Sequence, residues 1–226
     1  MKNHNALENQ ATRRILRTAC ATALGAALMG SRPQPARAAA ITPPPVPANI
    51  QVRAGNKVFL EGHGVGTQNY ICLPCSISVT CPLGFAFSLF TPEATLFKDK
   101  DNDKQVTTHF FSPNPSENGA IRATWQDSKD TSIVWGGQAI SSTAPAFVAP
   151  GAIPWLLLPA AGVQEGPTGG KTLTVTTFIQ RLNTSGGVAP SMGCASVMDV
   201  GARAFVSYTA DYFFYKDGDR DADDRN

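Results

Sequence analysis

Gly166-Pro167-Thr168-Gly169-Gly170-Lys171-Thr172-Leu173-Thr174-Val175-Thr176-Thr177-Phe178 admits two readings that lead to different fold classes. One is a phosphate-binding loop, the joint between a strand and a helix in an α/β sheet. Counting back from Lys171, that motif requires a glycine at 165, where Glu165 stands, and a helix after Thr172. The residues from Leu173 to Phe178 instead alternate like a strand. Without a helix N-terminus the backbone amides do not converge on a phosphate. The stretch therefore reads as a turn entering a strand.

The same pattern extends in both directions. From Ile50 onward the apolar runs are short, rich in Val, Ile, Thr and aromatics, and separated by Gly, Pro, Asn or Asp clusters. The spacing predicts strands at Lys57–Gly62, Asn69–Cys72, Phe85–Phe90, Ala94–Phe97, Gln105–Phe111, Ile121–Gln126, Ser132–Ile140, Pro154–Leu158, Thr172–Arg181 and Ala204–Tyr215. No 3.6-residue period persists after residue 40, so strands adjacent in sequence should pair antiparallel. The expected fold is all-β, a single antiparallel sandwich or closed barrel of about ten strands over residues 50–215. No linker divides that span into two domains.

The two ends have different compositions. Arg13, Arg14 and Arg17 precede an apolar run from Ala19 to Met29, and Ala36-Arg37-Ala38 offers a small-x-small cleavage pattern. The run is too short for a membrane span, which needs about 20 residues, and it suits the centre of a secretory signal. Residues 1–38 are therefore expected to be a signal peptide. Thr12-Arg13-Arg14-Ile15-Leu16 resembles a twin-arginine export signal, although Arg17 stands where a second apolar residue is preferred; the general secretory route is the alternative. Residues 39–49 form a Pro-rich linker, with Pro43, Pro44, Pro45 and Pro47, expected to be extended and poorly ordered. Residues 216–226 carry five aspartates and read as a disordered acidic tail.

Cleavage after Ala38 would remove Lys2, five arginines and Glu8, leaving 13 basic and 16 acidic residues, a net charge of −3 in place of +2. That excludes a basic nucleic-acid footprint. No later segment is apolar enough to be a membrane span, so a soluble protein in the periplasm or outside the cell is expected. Cys20 leaves with the signal, and Cys72, Cys75, Cys81 and Cys194 remain, an even number in an oxidising compartment. Three pairings are possible. Cys72 with Cys194 and Cys75 with Cys81 is favoured, because the second pair staples a local loop and leaves the first to tie early strands to late ones. Cys72-x-x-Cys75 also has metal-ligand spacing, but no second such pair or His pair stands nearby.

Further motifs fail on inspection. Gly62-His63-Gly64-Val65-Gly66 lacks the third dinucleotide-loop glycine, since Thr67 occupies its place, and reads as a hairpin loop. Asp99-x-Asp101-x-Asp103 begins like a calcium loop, but Lys104 and Phe110 stand where a glycine and a closing carboxylate are needed. Neither metal nor cofactor is expected. No Gly-x-Ser-x-Gly or His-Glu-x-x-His accompanies His63 or His109. Glu61 and His63, two apart, would share one face of a strand. Trp125, Trp135 and Trp155 suit either core packing or stacking on a ligand.

Asn69-Tyr70-Ile71-Cys72, Pro92-Glu93-Ala94-Thr95-Leu96-Phe97, Gly151–Leu158, Phe178–Pro190 with its Asn183-Thr184-Ser185-Gly186-Gly187-Val188-Ala189-Pro190 block, and Tyr208–Tyr215 resemble the domain-of-unknown-function family 3455. That family comprises exported bacterial and fungal proteins without an established activity. The resemblance covers about Pro47 to Tyr215. It implies that the cysteine after the tyrosine and the one in the later Gly-Cys step recur, here Cys72 and Cys194, whereas the Cys75–Cys81 insert departs from the pattern. Some fungal members carry a malate dehydrogenase label, which the failed glycine spacing does not support. The expected function is a non-catalytic domain that binds a small-molecule or saccharide ligand, or serves at the cell surface, with Tyr70, His109, Trp125 and Trp135 as lining residues. The alternative is a hydrolase or isomerase using His109 or His63 with Glu61 or Asp127.

Overall fold

The computed structural model describes residues 40–219, so the expected signal peptide and the end of the acidic tail lie outside the described residues. Nine strands run in the order β1 (Asn56–Pro74), β2 (Phe85–Phe97), β3 (Gln105–Asn114), β4 (Ala120–Asp127), β5 (Ile133–Gly136), β6 (Ile140–Ser142), β7 (Trp155–Gln164), β8 (Thr176–Gly186) and β9 (Arg203–Asp217). Every pairing is antiparallel, and each strand from β1 to β4 pairs with the next. β1 also pairs with β9, and β5 with β7, so the sheet closes into an eight-stranded barrel with β6 outside it. Of the two expected architectures, the barrel is realised.

Ten expected strands become nine for identifiable reasons. Lys57–Gly62 and Asn69–Cys72 are one strand, β1, and Phe85–Phe90 and Ala94–Phe97 are one, β2. Ser132–Ile140 is divided instead: after Gly136 the chain leaves β7, then returns to it as β6, with Ile140 opposite Leu157. The strand expected from Thr172 starts four residues later, because Thr174 N–H donates to Lys171 O and Thr176 N–H to Leu173 O, which curls residues 171–176 into turns.

The hairpin expected at Gly62–Gly66 is the middle of β1, paired to β2 on one edge and β9 on the other. Its glycines lie opposite Tyr212, Ala210 and Tyr208 on the face that points into the barrel. A Cβ at Gly64 would come within 2.8 Å of the Tyr212 ring. Small residues on one strand thus admit large ones from the next, as a narrow barrel requires. The alternation of β9 separates two cores. Tyr208, Tyr212 and Phe214 point inward, while Phe213 and Tyr215 pack outside with Trp155, Leu157 and Leu182. Ile41, Val46, Ile50 and Val52, in and just after the Pro-rich segment, cover this outer cluster. Gln180 ties them together: its Nε2 donates to Ile50 O (2.7 Å) and its Oε1 accepts from the Tyr215 hydroxyl (2.5 Å). Burial pushes the Tyr215 pKa up to about 12.

One end of the barrel is plugged and the other open. At the plugged end Leu173 is fully buried among Leu96, Val134 and Phe214. Asp130 organises the loop that carries it, accepting from Ser132 N (2.9 Å), Ser132 Oγ (2.6 Å) and Thr172 N (2.8 Å). Burial alone would raise the Asp130 pKa, but these bonds outweigh it and hold the carboxyl well below its ordinary value. A side chain at Gly166 or Gly170 would overlap the Asp130 carbonyl. The glycines that suggested a phosphate loop therefore serve to wrap an aspartate. At the other end β2 pairs with β3 only from Ala94 to Phe97, and its first half pairs with β1 alone. Both expected disulfides are present, Cys72–Cys194 (Cα–Cα 5.4 Å) and Cys75–Cys81 (6.4 Å).

Candidate functional site: the open end of the barrel

Where β2 diverges from β3, the barrel holds a cavity of about 490 Å³. Its wall is mostly apolar, with Leu89, Phe111, Ile121, Ile153, Leu156 and Leu158. Polar groups enter at few points: Gln68 and Tyr70 from β1, His109 from β3, Arg122 from β4, Gln138 after β5, Arg181 from β8 and Tyr212 from β9. An apolar hollow with a small set of convergent polar groups is the usual form of a small-molecule site, and the volume is in the usual range.

His109 stacks on Trp125, its cross-strand neighbour, at 4.3 Å between ring centroids and 7° between planes. Tyr212 tilts against both rings at 5.4 and 5.8 Å. His109 Nδ1 lies 2.9 Å from the Thr124 carbonyl, and a carbonyl only accepts, so Nδ1 carries the proton and Nε2 is the acceptor. Burial drives the His109 pKa down to about 3; the Thr124 carbonyl opposes this, and the Arg181 charge adds to it. At neutral pH the ring is uncharged. Burial likewise raises the Tyr70 and Tyr212 hydroxyls, with Arg181 acting the other way on each. The Tyr70 hydroxyl donates to Gly187 O at 2.6 Å. The Asn183–Pro190 block thus anchors a wall of the cavity mouth, where Thr184 Oγ1 also donates to Ile153 O (2.6 Å).

Arg181 is 9% exposed. Nη2 donates to Pro154 O at 2.9 Å, and Nε has no acceptor among the described residues. The other cation at the cavity, Arg122, is held by Glu117 through bonds of 2.7 and 2.8 Å. No Asp, Glu, Ser, Thr or Cys is among the lining residues.

Three of the four residues singled out from the sequence, Tyr70, His109 and Trp125, meet in this cavity. Trp135 does not line it. Val134 takes the inward position on β5, so Trp135 faces the other way and donates its Nε1 hydrogen to Ser112 Oγ at 2.9 Å. Asp127, the carboxylate considered for acid–base work with a histidine, accepts from Lys129 N and Asp130 N in the turn after β4. Glu61 and His63 do share a face of β1, on the outer wall. Asp211 joins them from β9, with His63 Nδ1 2.6 Å from Asp211 Oδ1. The ligand atoms of these three lie within 4.8 Å of one another, a spacing that could hold a metal ion. Asn183 also donates to Asp211 Oδ2 (2.8 Å).

Sequence reasoning missed Arg181, Gln68 and Tyr212. Parity was the available signal for Arg181, which lies two residues from the fully buried Ile179 and so shares its face of β8.

A family model with the description Protein of unknown function (DUF3455) matches residues 53–216. No curated protein and no solved structure matches the chain.

Proposed function

Since the chain belongs to the DUF3455 family, whose description assigns no activity, the functional reading rests on the site, and we propose that the protein binds a small molecule in the open end of its barrel without transforming it. The observation that carries this is the convergence of Tyr70, His109 and Trp125 on one apolar cavity that also contains a buried arginine. The mostly apolar wall favours a compact organic ligand over a saccharide, whose many hydroxyls need many polar partners. A lining without a Ser, Thr or Cys nucleophile or a carboxylate, tyrosines whose hydroxyls burial keeps protonated, and a histidine uncharged far below neutral pH suit holding a ligand better than cleaving one.

The protein works outside the cytoplasm. The basic and apolar start of the chain supports this, as do two disulfides. No helix among the described residues is long and apolar enough to cross a membrane.

The test is a thermal-shift screen of small molecules and glycans on the unaltered chain and on Ala123→Phe, which places a ring in the cavity. Ligands should raise the melting temperature of the first and not the second. A panel without any saturable shift removes the binding reading. A second reading comes from the His63–Asp211 pair beside Glu61, an acid–base group on the outer wall. In any turnover detected, His63→Ala would abolish activity if that group acts, and His109→Ala would leave it unchanged.

A further inference from the structure

Arg181 is a buried cation whose charge no acidic side chain balances among the described residues that line the cavity. An isolated ion away from water is costly unless it is paired and hydrogen-bonded. The arrangement differs from that of Arg122 at the same cavity, which Glu117 neutralises with two short bonds. Tyr212, adjacent to Arg181 across the β8–β9 ladder, has a hydroxyl that burial keeps protonated and that pairs with the Tyr208 hydroxyl at 3.0 Å. Trp125 Nε1 and Gln68 Nε2 in the cavity wall are buried without a hydrogen-bond partner among the described residues, as is Arg181 Nε. The cavity therefore has one positive charge without an acidic partner among its lining residues, set in an apolar wall.

We propose that the cavity takes a small organic carboxylate with an apolar body, its carboxylate seated on the Arg181 guanidinium and its body against the His109–Trp125 stack. A carboxylate carries the opposite charge and accepts hydrogen bonds, and its planar oxygens fit a guanidinium fork. The flat face of the stacked rings and the aliphatic side chains of Leu156 and Leu158 supply the remainder of the contact. This inference rests on the cavity being a binding site.

Calorimetric titration of the full chain, with tryptophan fluorescence as a second readout, tests it using benzoate and hexanoate, their uncharged counterparts benzamide and hexanol, and inorganic phosphate. At least one acid should bind saturably, with its uncharged counterpart about ten- to a hundredfold weaker and phosphate weaker than the acid. Arg181→Gln should erase the preference for the acid, Arg181→Lys should keep part of it, and Ala123→Phe should block acid and counterpart alike. If the uncharged compounds bind as well as the acids and Ala123→Phe blocks them, the cavity is a binding site and the carboxylate inference is wrong. If acids bind but Ala123→Phe has no effect, the ligand lies elsewhere and both readings fall. Phosphate binding as tightly as the acids overturns the apolar body, and no saturable binding by either acid overturns the inference entirely. Should Arg181→Gln not fold, the ratio of acid to uncharged counterpart on the unaltered protein still decides.

Discussion

The two ends of the barrel hold their charged groups differently, a partly buried carboxylate at one and a buried guanidinium at the other. At the plugged end Asp130 is a carboxylate surrounded by donors from its own turn and from the loop carrying Leu173. At the open end Arg181 has one backbone carbonyl, a neighbouring tyrosine and a free Nε. The partly buried Asp130 carboxylate is satisfied and fixes a loop, whereas the buried Arg181 guanidinium beside the cavity is only partly satisfied. The difference lies in partners: both oxygens of Asp130 meet donors, whereas Arg181 Nε meets no acceptor among the described residues.

Removing a disulfide should have the largest effect. Cys72 and Cys194 are 122 residues apart, and replacing both by alanine should lower stability by roughly 5 kcal/mol on the chain-entropy estimate, against about 2 kcal/mol for the six-residue separation of Cys75 and Cys81. Denaturant unfolding of the two double variants measures this; equal losses would show that the long link does not tie the open end together. Next comes Asp130→Ala, which leaves the Ser132 and Thr172 donors without their acceptor and should cost about 2–3 kcal/mol. Amide exchange should rise first around residues 165–175, while the open end stays protected. If both ends loosen together, the barrel is one cooperative unit and the contrast between its ends is only geometric.

Gly64→Ala probes the ring between the two ends. Its methyl would press on Tyr212, and overpacking of this kind costs about 1–3 kcal/mol. A variant as stable as the parent would mean that Tyr212 yields readily. The most gradual effect is on pH dependence. An unfolded histidine gains its proton as pH falls through about 6.5, whereas folded His109 remains neutral down to about 3. The unfolded state therefore binds more protons across that window. Stability is complete above it and declines on acidification by at most about 1.4 kcal/mol per pH unit. Unfolding curves at several pH values should show a slope that His109→Gln flattens.

Much of the strand content was legible because alternation and turn residues are local signals. Thr172–Arg181 and Ala204–Tyr215 fall largely on β8 and β9, and the cysteine pairing rested on parity, chain position and family resemblance. The glycines of β1 were misread for a physical reason. Glycine serves equally for a tight turn and for close approach inside a strand, and only the Tyr208 and Tyr212 side chains opposite reveal which use applies. Trp135 was misassigned to the cavity because the parity of β5 depends on its register with β4 and β7, which places Val134 inward.

From composition, punctuation and period, the chain on its own determined that this is an all-β, disulfide-linked protein in which strands adjacent in sequence run antiparallel. Closure of the sheet, the splitting of β9 between two cores and the meeting of Arg181 with Tyr70, His109 and Trp125 were decided only in three dimensions. Alternation says that a strand has two faces, but which face is enclosed depends on pairings between residues more than a hundred positions apart, such as His63 with Asp211. Such pairings are set by the packing of the whole barrel.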